Sequence, residues 1–229
     1  MIRSEVDGRV TTVTIDRPAR RNALTPDGLE SLATAVETAT TPVVYLTGAD
    51  GAFSAGADFG VVSELDRQGT RAFARLGQRV ARTIETGESV VVAGIDGPAR
   101  GGGVELALAC DLRVATPEAT FAETGVSLGL FGAWGGTVRL PRVLGEGEAM
   151  DLALSGRVIG AEEARRMGLV SRIVDDPREV ADEVATNEPD ALAVLKRRMR
   201  DDADREVQEA REAAVFADLV EEHADDLPR

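Results

Sequence analysis

The chain has 229 residues, enough for one large domain with a substantial core and no covalent staples. Forty acids against 26 bases give a net charge of −14 with 43% hydrophobic residues, a globular composition whose bulk charge argues against nucleic-acid binding. A lone cysteine, Cys110, excludes an intrachain disulfide framework and a CxxC metal cluster.

No apolar run approaches the roughly 20 residues of a membrane span, and the opening MIRSEVDGRV holds no apolar signal segment, so the expectation is a cytoplasmic protein with no membrane partner. Lys196 is the only lysine among the 26 basic residues. Two explanations fit that bias: a surface adapted to a high-salt cytoplasm, where charge is strongly screened, or a GC-rich coding sequence with an ordinary acidic surface.

Residues 2–6 and 10–16 are predicted strands, the second (VTTVTID) alternating and β-branched, joined by Asp7-Gly8 as a hairpin. After the loop RPARRNAL (17–24), Thr25-Pro26 caps a helix running to about Thr38, with Leu29, Leu32, Ala33 and Val36 on one face. A buried strand over 42–46 leads into a Gly/Ala-rich loop, 48–58. The spacing predicts a helix over 71–86, a buried strand over 90–95, a glycine cluster over 97–103, an apolar helix over 104–110 and a strand over 111–115. Alternating strands and helices imply right-handed crossovers and a mainly parallel sheet.

From about Gly145 the chain is expected to be helical: 146–154, 161–168, 178–186 and one long helix from Asp190 to about Glu222, interrupted by a strand over 169–174. Residues 175–229 carry 18 acids and 8 bases, −10 of the −14, as a solvated helical face would. The expected division is a core over 1–174 and an acidic helical region over 175–229 that packs between subunits of an oligomer.

Two loops carry the chemistry. In Gly97-Pro98-Ala99-Arg100-Gly101-Gly102-Gly103-Val104-Glu105, glycines run into a helix start, where free backbone N–H groups and the helix dipole favour negative charge. The run could hold a phosphate or an oxyanion, or serve tight helix–strand packing; it fits neither GxGxxG nor GxxxxGK[ST]. Phe53-Ser54-Ala55-Gly56-Ala57-Asp58 is a second small-residue loop, and one amide from each would make a two-donor oxyanion hole. Ser54 lacks the glycine spacing of a nucleophile elbow, and the only histidine, His223, lies in the acidic tail, which argues against a Ser-His-Asp triad. No cluster of His, Cys and Asp has ligand spacing, so no metal is expected.

The segments IDRPARRNAL (15–24), YLTGADGAFSAGAD (45–58), GPARGGGVELALACDLRVAT (97–116), SLGLFGAWGGTVRLPRVLG (127–145) and LSGRVIGAEEARRMGLVSRIV (154–174), in that order and spacing, resemble the crotonase superfamily, the enoyl-CoA hydratase/isomerase group. The resemblance covers about three quarters of the chain and implies an α/β fold, a spiral of ββα turns with a helical C-terminal trimerisation region, assembled as homotrimers or homohexamers. It implies an acyl-CoA thioester substrate, with coenzyme A as part of that substrate and no separate cofactor. By motif position, the amides of Ala57 and Gly102 would hold the thioester oxygen and Glu105 would be the first catalytic glutamate, although a first-turn acid also stabilises a helix by itself. Ala55, Asp58 and Phe59, with Arg17 and Ala19 opposite, would line the coenzyme A groove. Phe131 and Trp134 would shape the acyl pocket or serve as core aromatics, and Asp58, Asp111 and Cys110 also have structural roles open to them.

The family's second glutamate, twenty residues beyond Glu105, falls here on Gly125. An alternative acid eight residues later falls on Ala133. Glu123 is expected to be structural or to face solvent, which leaves a water, or Glu123 in a differently running loop, as the second proton-handling group. With one glutamate, thioester hydrolysis, decarboxylation or acyl-CoA binding without turnover stand beside hydration and isomerisation. The end HADDLPR (223–229) does not match the family's coenzyme-covering helix, which implies a more open groove or one completed by a neighbouring subunit.

Overall fold

The computed structural model describes residues 1–225. The first strands, β1 (Ile2–Asp7) and β2 (Val10–Ile15), form the expected antiparallel hairpin, turning at Gly8 with φ +58°. Helix α1 (Pro26–Glu37) starts where the sequence places it: the Thr25 hydroxyl accepts from Gly28 N at 3.2 Å, a cap worth about 1 kcal/mol. Next come β3 (Val43–Gly48), the four-residue α2 (Phe59–Val62), α3 (Arg67–Thr86) and β4 (Val90–Ile95). Helix α3 begins four residues earlier than expected, because the Asp66 carboxylate accepts from Gly69 N at 2.7 Å and holds a first turn that Gly69 alone would disfavour.

Strand β5 (Pro98–Arg100) lies inside the glycine cluster and is followed by α4 (Gly102–Ala109), β6 (Leu112–Ala115) and β7 (Thr120–Ala122). Helix α5 (Gly136–Leu144) was not foreseen; Pro141 within it and Gly135-Gly136 at its start conceal it in the sequence. The chain continues through α6 (Glu146–Ser155), β8 (Ile159–Gly160), α7 (Ala161–Arg166), β9 (Arg172–Ile173) and α8 (Arg178–Ala185). The single helix expected from Asp190 to Glu222 is two, α9 (Pro189–Arg198) and α10 (Arg205–Glu222). Between them Asp201 accepts from Ala203 N at 3.1 Å, a local turn that competes with helix continuation. Of the stretch 223–229, residues 226–229 lie outside the described part.

Six strands form one sheet in the order β1-β2-β3-β4-β6-β9, parallel except for the β1–β2 hairpin. The central strands β3 and β4 are covered on both faces and are apolar nearly throughout, whereas the edge strand β1 is largely exposed. Val44, Leu46, Val91, Ala93 and Ile95 face the main core with α1, α3 and α4; Val43, Tyr45, Val90 and Val92 face α8 through Val180, Ala181 and Ala185. A second sheet, β5-β7-β8, was not predicted, being built from strands of two or three residues. Its β5–β7 pair sets the glycine cluster against the segment that leads to Glu123. Every residue of α4 is buried, which places this short helix at the centre of the molecule.

Candidate active site at the start of helix α4

The two small-residue loops meet. Arg100 N donates to Ser54 O at 2.9 Å, and Phe53 N donates to Pro98 O at 3.1 Å. Gly56, at φ +80°, comes so close that a Cβ there would lie 2.7 Å from both Arg100 O and Gly102 N. Only glycine allows that approach and that backbone conformation together. The next residue, Ala57, is bridged to Leu24, and Asp58 N donates to Leu24 O at 3.0 Å. Among the described residues no backbone acceptor takes the N–H of Ala57 or that of Gly102, the first residue of α4.

A residue the sequence analysis passed over organises this junction. Asn22 is fully buried at φ +59°, donates through Nδ2 to Ala49 O (2.8 Å) and Ala52 O (2.6 Å), and accepts from Arg17 N (2.9 Å). Ser54 Oγ donates to Asn22 O at 2.8 Å and accepts from Gly56 N at 3.1 Å, so the hydroxyl serves the loop. The signal was an Asn beside Arg21, itself at φ +49°, in a loop, since Asn tolerates the left-handed region.

Glu105 sits in the first turn of α4 and is 1% exposed. Its Oε1 accepts from Trp134 N at 2.8 Å and from Gly136 N at 2.6 Å, at the start of α5. Burial pushes its carboxyl above the ordinary value; the two amides and the nearby Arg139 guanidinium pull the other way. Gly132 leaves no room beside it for a side chain: a Cβ there would lie 2.7 Å from Glu105 Cδ and 2.8 Å from Oε2. Arg139 is also buried and donates to Glu85 Oε2 at 2.5 Å.

Trp134 is buried, its ring over Gly102, and it meets Phe73 edge-on with centroids 5.7 Å apart at 85°. Phe131, paired with it in the expected acyl pocket, is instead 72% exposed: its loop carries the ring outward. Phe59 is half exposed and Ala19 exposed, while Ala55 is part-buried with its N–H on Arg21 O at 2.9 Å. Arg17 pairs with the buried Asp58 and donates to Ala23 O at 3.0 Å. The Arg17 guanidinium holds the Asp58 carboxyl below the usual range, and Asp58 also accepts from Gly60 N at 2.9 Å as the cap of α2. The Arg17–Asp58 pair thus ties the two rims of the loop junction together.

Glu123 departs from the solvent-facing alternative. It is 7% exposed, and its Oε1 has no hydrogen-bond partner among the described residues. Burial first, and the Glu105 charge second, push its carboxyl up to about 8. Gly125 is covered by its own loop: Leu130 N donates to Gly125 O at 2.9 Å, and a Cβ at 125 would lie 3.2 Å from Leu130 O.

The family model described as enoyl-CoA hydratase/isomerase matches residues 5–225. The chain belongs to that family. A short-chain-enoyl-CoA hydratase of Clostridium acetobutylicum is 37% identical over 203 residues, covering 84% of this chain and 78% of that protein. A crotonyl-CoA hydratase of Syntrophomonas wolfei is 40% identical over 185 residues, covering 79% and 71%. The crystal structure of an enoyl-CoA hydratase from Bacillus anthracis superposes with a TM-score of 0.90 at 31% identity, covering 96% of this chain and 91% of that one.

Two features lie outside this site. A cavity of about 1360 Å³ between the C-terminal helices and the core is lined by residues including Asp111, Lys196 and Arg200, and not by Ala57, Gly102 or Glu105. Asp111 there has a structural role: it pairs with Lys196 at 3.1 Å and with Arg200, and accepts from Val91 N at 2.7 Å. Cys110 is buried, its thiol pushed up to about 12 by burial. Asp190 and the adjacent Glu222 and His223 bring ligand atoms within 4.8 Å of one another; the two acids are exposed, and such groups are common without an ion.

Proposed function

We propose that this enoyl-CoA hydratase/isomerase-type enzyme acts on a 2-enoyl-CoA thioester by stabilising the enolate of the bound acyl group. The N–H groups of Ala57 and Gly102 receive the thioester oxygen, and Glu105, one turn along the same helix, handles a proton of the reaction. The observation that carries this is the pairing of two unclaimed amides on touching loops with a buried carboxylate in the first turn of α4. Negative charge grows on the thioester oxygen as the enolate forms, and each preplaced donor in such a site is worth about 3–4 kcal/mol. Arg17, Ala19, Ala55, Asp58 and Phe59 border the groove for coenzyme A, and Trp134 closes the floor beside Gly102.

Exposed Leu195 on α9 and Met199 at its C-terminal end, with Phe216 and Val220 on α10, support burial of the C-terminal helices between subunits of a homotrimer or homohexamer. The acidic, lysine-poor surface supports a cytoplasmic enzyme in a saline interior; no described helix is long and apolar enough to cross a membrane.

The test is hydration of crotonyl-CoA, followed by loss of its conjugated absorbance, by the wild type and by Glu105→Gln. A glutamine keeps an oxygen to accept from Trp134 N and Gly136 N but cannot shuttle the proton. The expected result is a fall of about 10²–10⁴-fold in kcat with thioester binding retained. Full activity in the variant would sink the role of Glu105. Hydrolysis, decarboxylation or mere binding by the wild type would each replace the hydratase reading.

A further inference from the structure

Hydration of an enoyl thioester moves two protons, one off the water and one onto Cα, and the position where the family's second acid is expected holds Gly125. The loop here is built around that absence. Its 3-10 turn over Thr124–Leu128 folds back so that the Leu130 carbonyl lies 3.2 Å from where a Cβ at 125 would stand. A side chain at 125 would need the backbone at 130–131 to give by a few tenths of an ångström. A buried acid, Glu123, stands at the start of the same turn. Ala122, at the end of β7, accepts from Gly101 N at 3.0 Å, and Gly101 is the residue that opens α4. Glu123 therefore leaves the small sheet beside the start of the helix that carries Gly102 and Glu105.

Its environment matches no structural task. A solvated acid would be exposed, and an acid retained for the fold would be paired or hydrogen-bonded. Glu123 is 93% removed from solvent, has no ion pair among the described residues, and leaves Oε1 without a donor. Glu105, within range to act on it electrostatically, has two amide donors and Arg139 to favour its ionised form. Burial raises both carboxyls, but Glu105 has donors that favour its ionised form and Glu123 has none among the described residues, so Glu123 is the better suited of the two to carry a proton.

We propose that Glu123 is the second proton-handling group of this enzyme, delivering a proton to Cα while Glu105 activates the water. This rests on the acyl-CoA reading above. In the hydration step the Glu105 carboxylate takes a proton from water as the water oxygen bonds to Cβ. The π pair of the C=C bond shifts toward the thioester, and its oxygen gains negative charge on the amides of Ala57 and Gly102. The Glu123 acid then gives its proton to Cα, and the carbonyl re-forms. One proton passes from Glu105 back to Glu123, so the cycle consumes only water. In the reverse sense, ionised Glu123 removes the α-proton of a saturated thioester.

The experiment compares wild type, Glu123→Gln and Glu105→Gln in two assays: crotonyl-CoA hydration, and mass-spectrometric deuterium uptake at Cα of butyryl-CoA in D₂O. Glu123→Gln is expected to lose about 10²–10⁴-fold in kcat, with KM for crotonyl-CoA within a few-fold of wild type. It is also expected to lose α-exchange, whereas Glu105→Gln retains α-exchange although it no longer hydrates. A structural role for Glu123 would not split the two variants this way.

Hydration within about twofold of wild type in Glu123→Gln, or α-exchange lost only in Glu105→Gln, overturns the assignment while leaving the thioester reading intact. Absence of both reactions in the wild type overturns the thioester reading itself, and this proposal with it. Circular dichroism checks the fold of each variant. Should the glutamine variant fail to fold, Glu123→Asp, which withdraws the carboxyl by one methylene, carries the same comparison: loss of α-exchange supports the assignment, and wild-type exchange overturns it.

Discussion

Burying Glu123 has a thermodynamic signature independent of any catalytic role. Its carboxyl is pushed up to about 8 in the fold from an ordinary 4.5, so the folded state holds a proton that the unfolded chain releases between those values. The contribution of the protonated acid is fully present below the unfolded pKa. It falls as pH rises toward the folded value and is fully lost above it. Each tenfold difference in proton affinity is worth about 1.4 kcal/mol, so the whole loss is about 5 kcal/mol, of which about 3 has gone by neutral pH. The group is almost entirely removed from water, which leaves little solvent screening to reduce that figure. Glu123→Gln keeps the volume and carries no charge at any pH. Urea denaturation at a series of pH values between 5 and 9 should therefore show the wild type losing several kcal/mol more than the variant as pH rises. Parallel curves for the two proteins would refute the claim that this carboxyl is buried without a partner.

Gly132→Ala should leave the fold standing and harm turnover. The new Cβ, 2.7 Å from Glu105 Cδ, forces a shift of roughly 1 Å to reach ordinary carbon contact; misplacement on that scale costs on the order of 10²-fold in rate, measurable as kcat for crotonyl-CoA. Asn22→Ala should destabilise the chain by about 3–5 kcal/mol, from three lost buried hydrogen bonds and an alanine in the left-handed region. A fall in the urea midpoint checks this, and a change below 1 kcal/mol would mean the loop junction has other support.

What could be read in the sequence was what local chemistry determines. The β1–β2 hairpin follows from alternation and Asp7-Gly8, α1 from Thr25-Pro26, and the central strands from apolar runs buried on both faces. Elements whose existence depends on distant partners were not legible. Strands β5, β7 and β8 are too short to show a period, and they form because the chain returns to the same place three times. Pro141 and paired glycines hid α5, and the local turn at Asp201 split the last helix. At the site, runs of small residues identified both loops and the family resemblance pointed to Glu105, but a motif position lies along the chain and does not tell on which side a loop turns. That limit separated Gly125 from Glu123 and sent Phe131 outward. Asn22 was missed because its work is done on carbonyls 27 and 30 residues away.

The single lysine also has a consequence for handling the molecule. Lys196 is the buried residue of α9, with Nζ donating to Ile84 O at 2.8 Å and Ser89 O at 2.7 Å and its side chain 3% exposed beside Asp111. Basic side chains elsewhere on the chain are all guanidinium groups, which leaves no ε-amine on the surface for acylating dyes, aldehyde fixatives or amine cross-linkers. Reagents of that kind would reach Lys196 only after α9 had lifted from the core, so the rate at which this residue is modified becomes a clock for the detachment of the C-terminal helices.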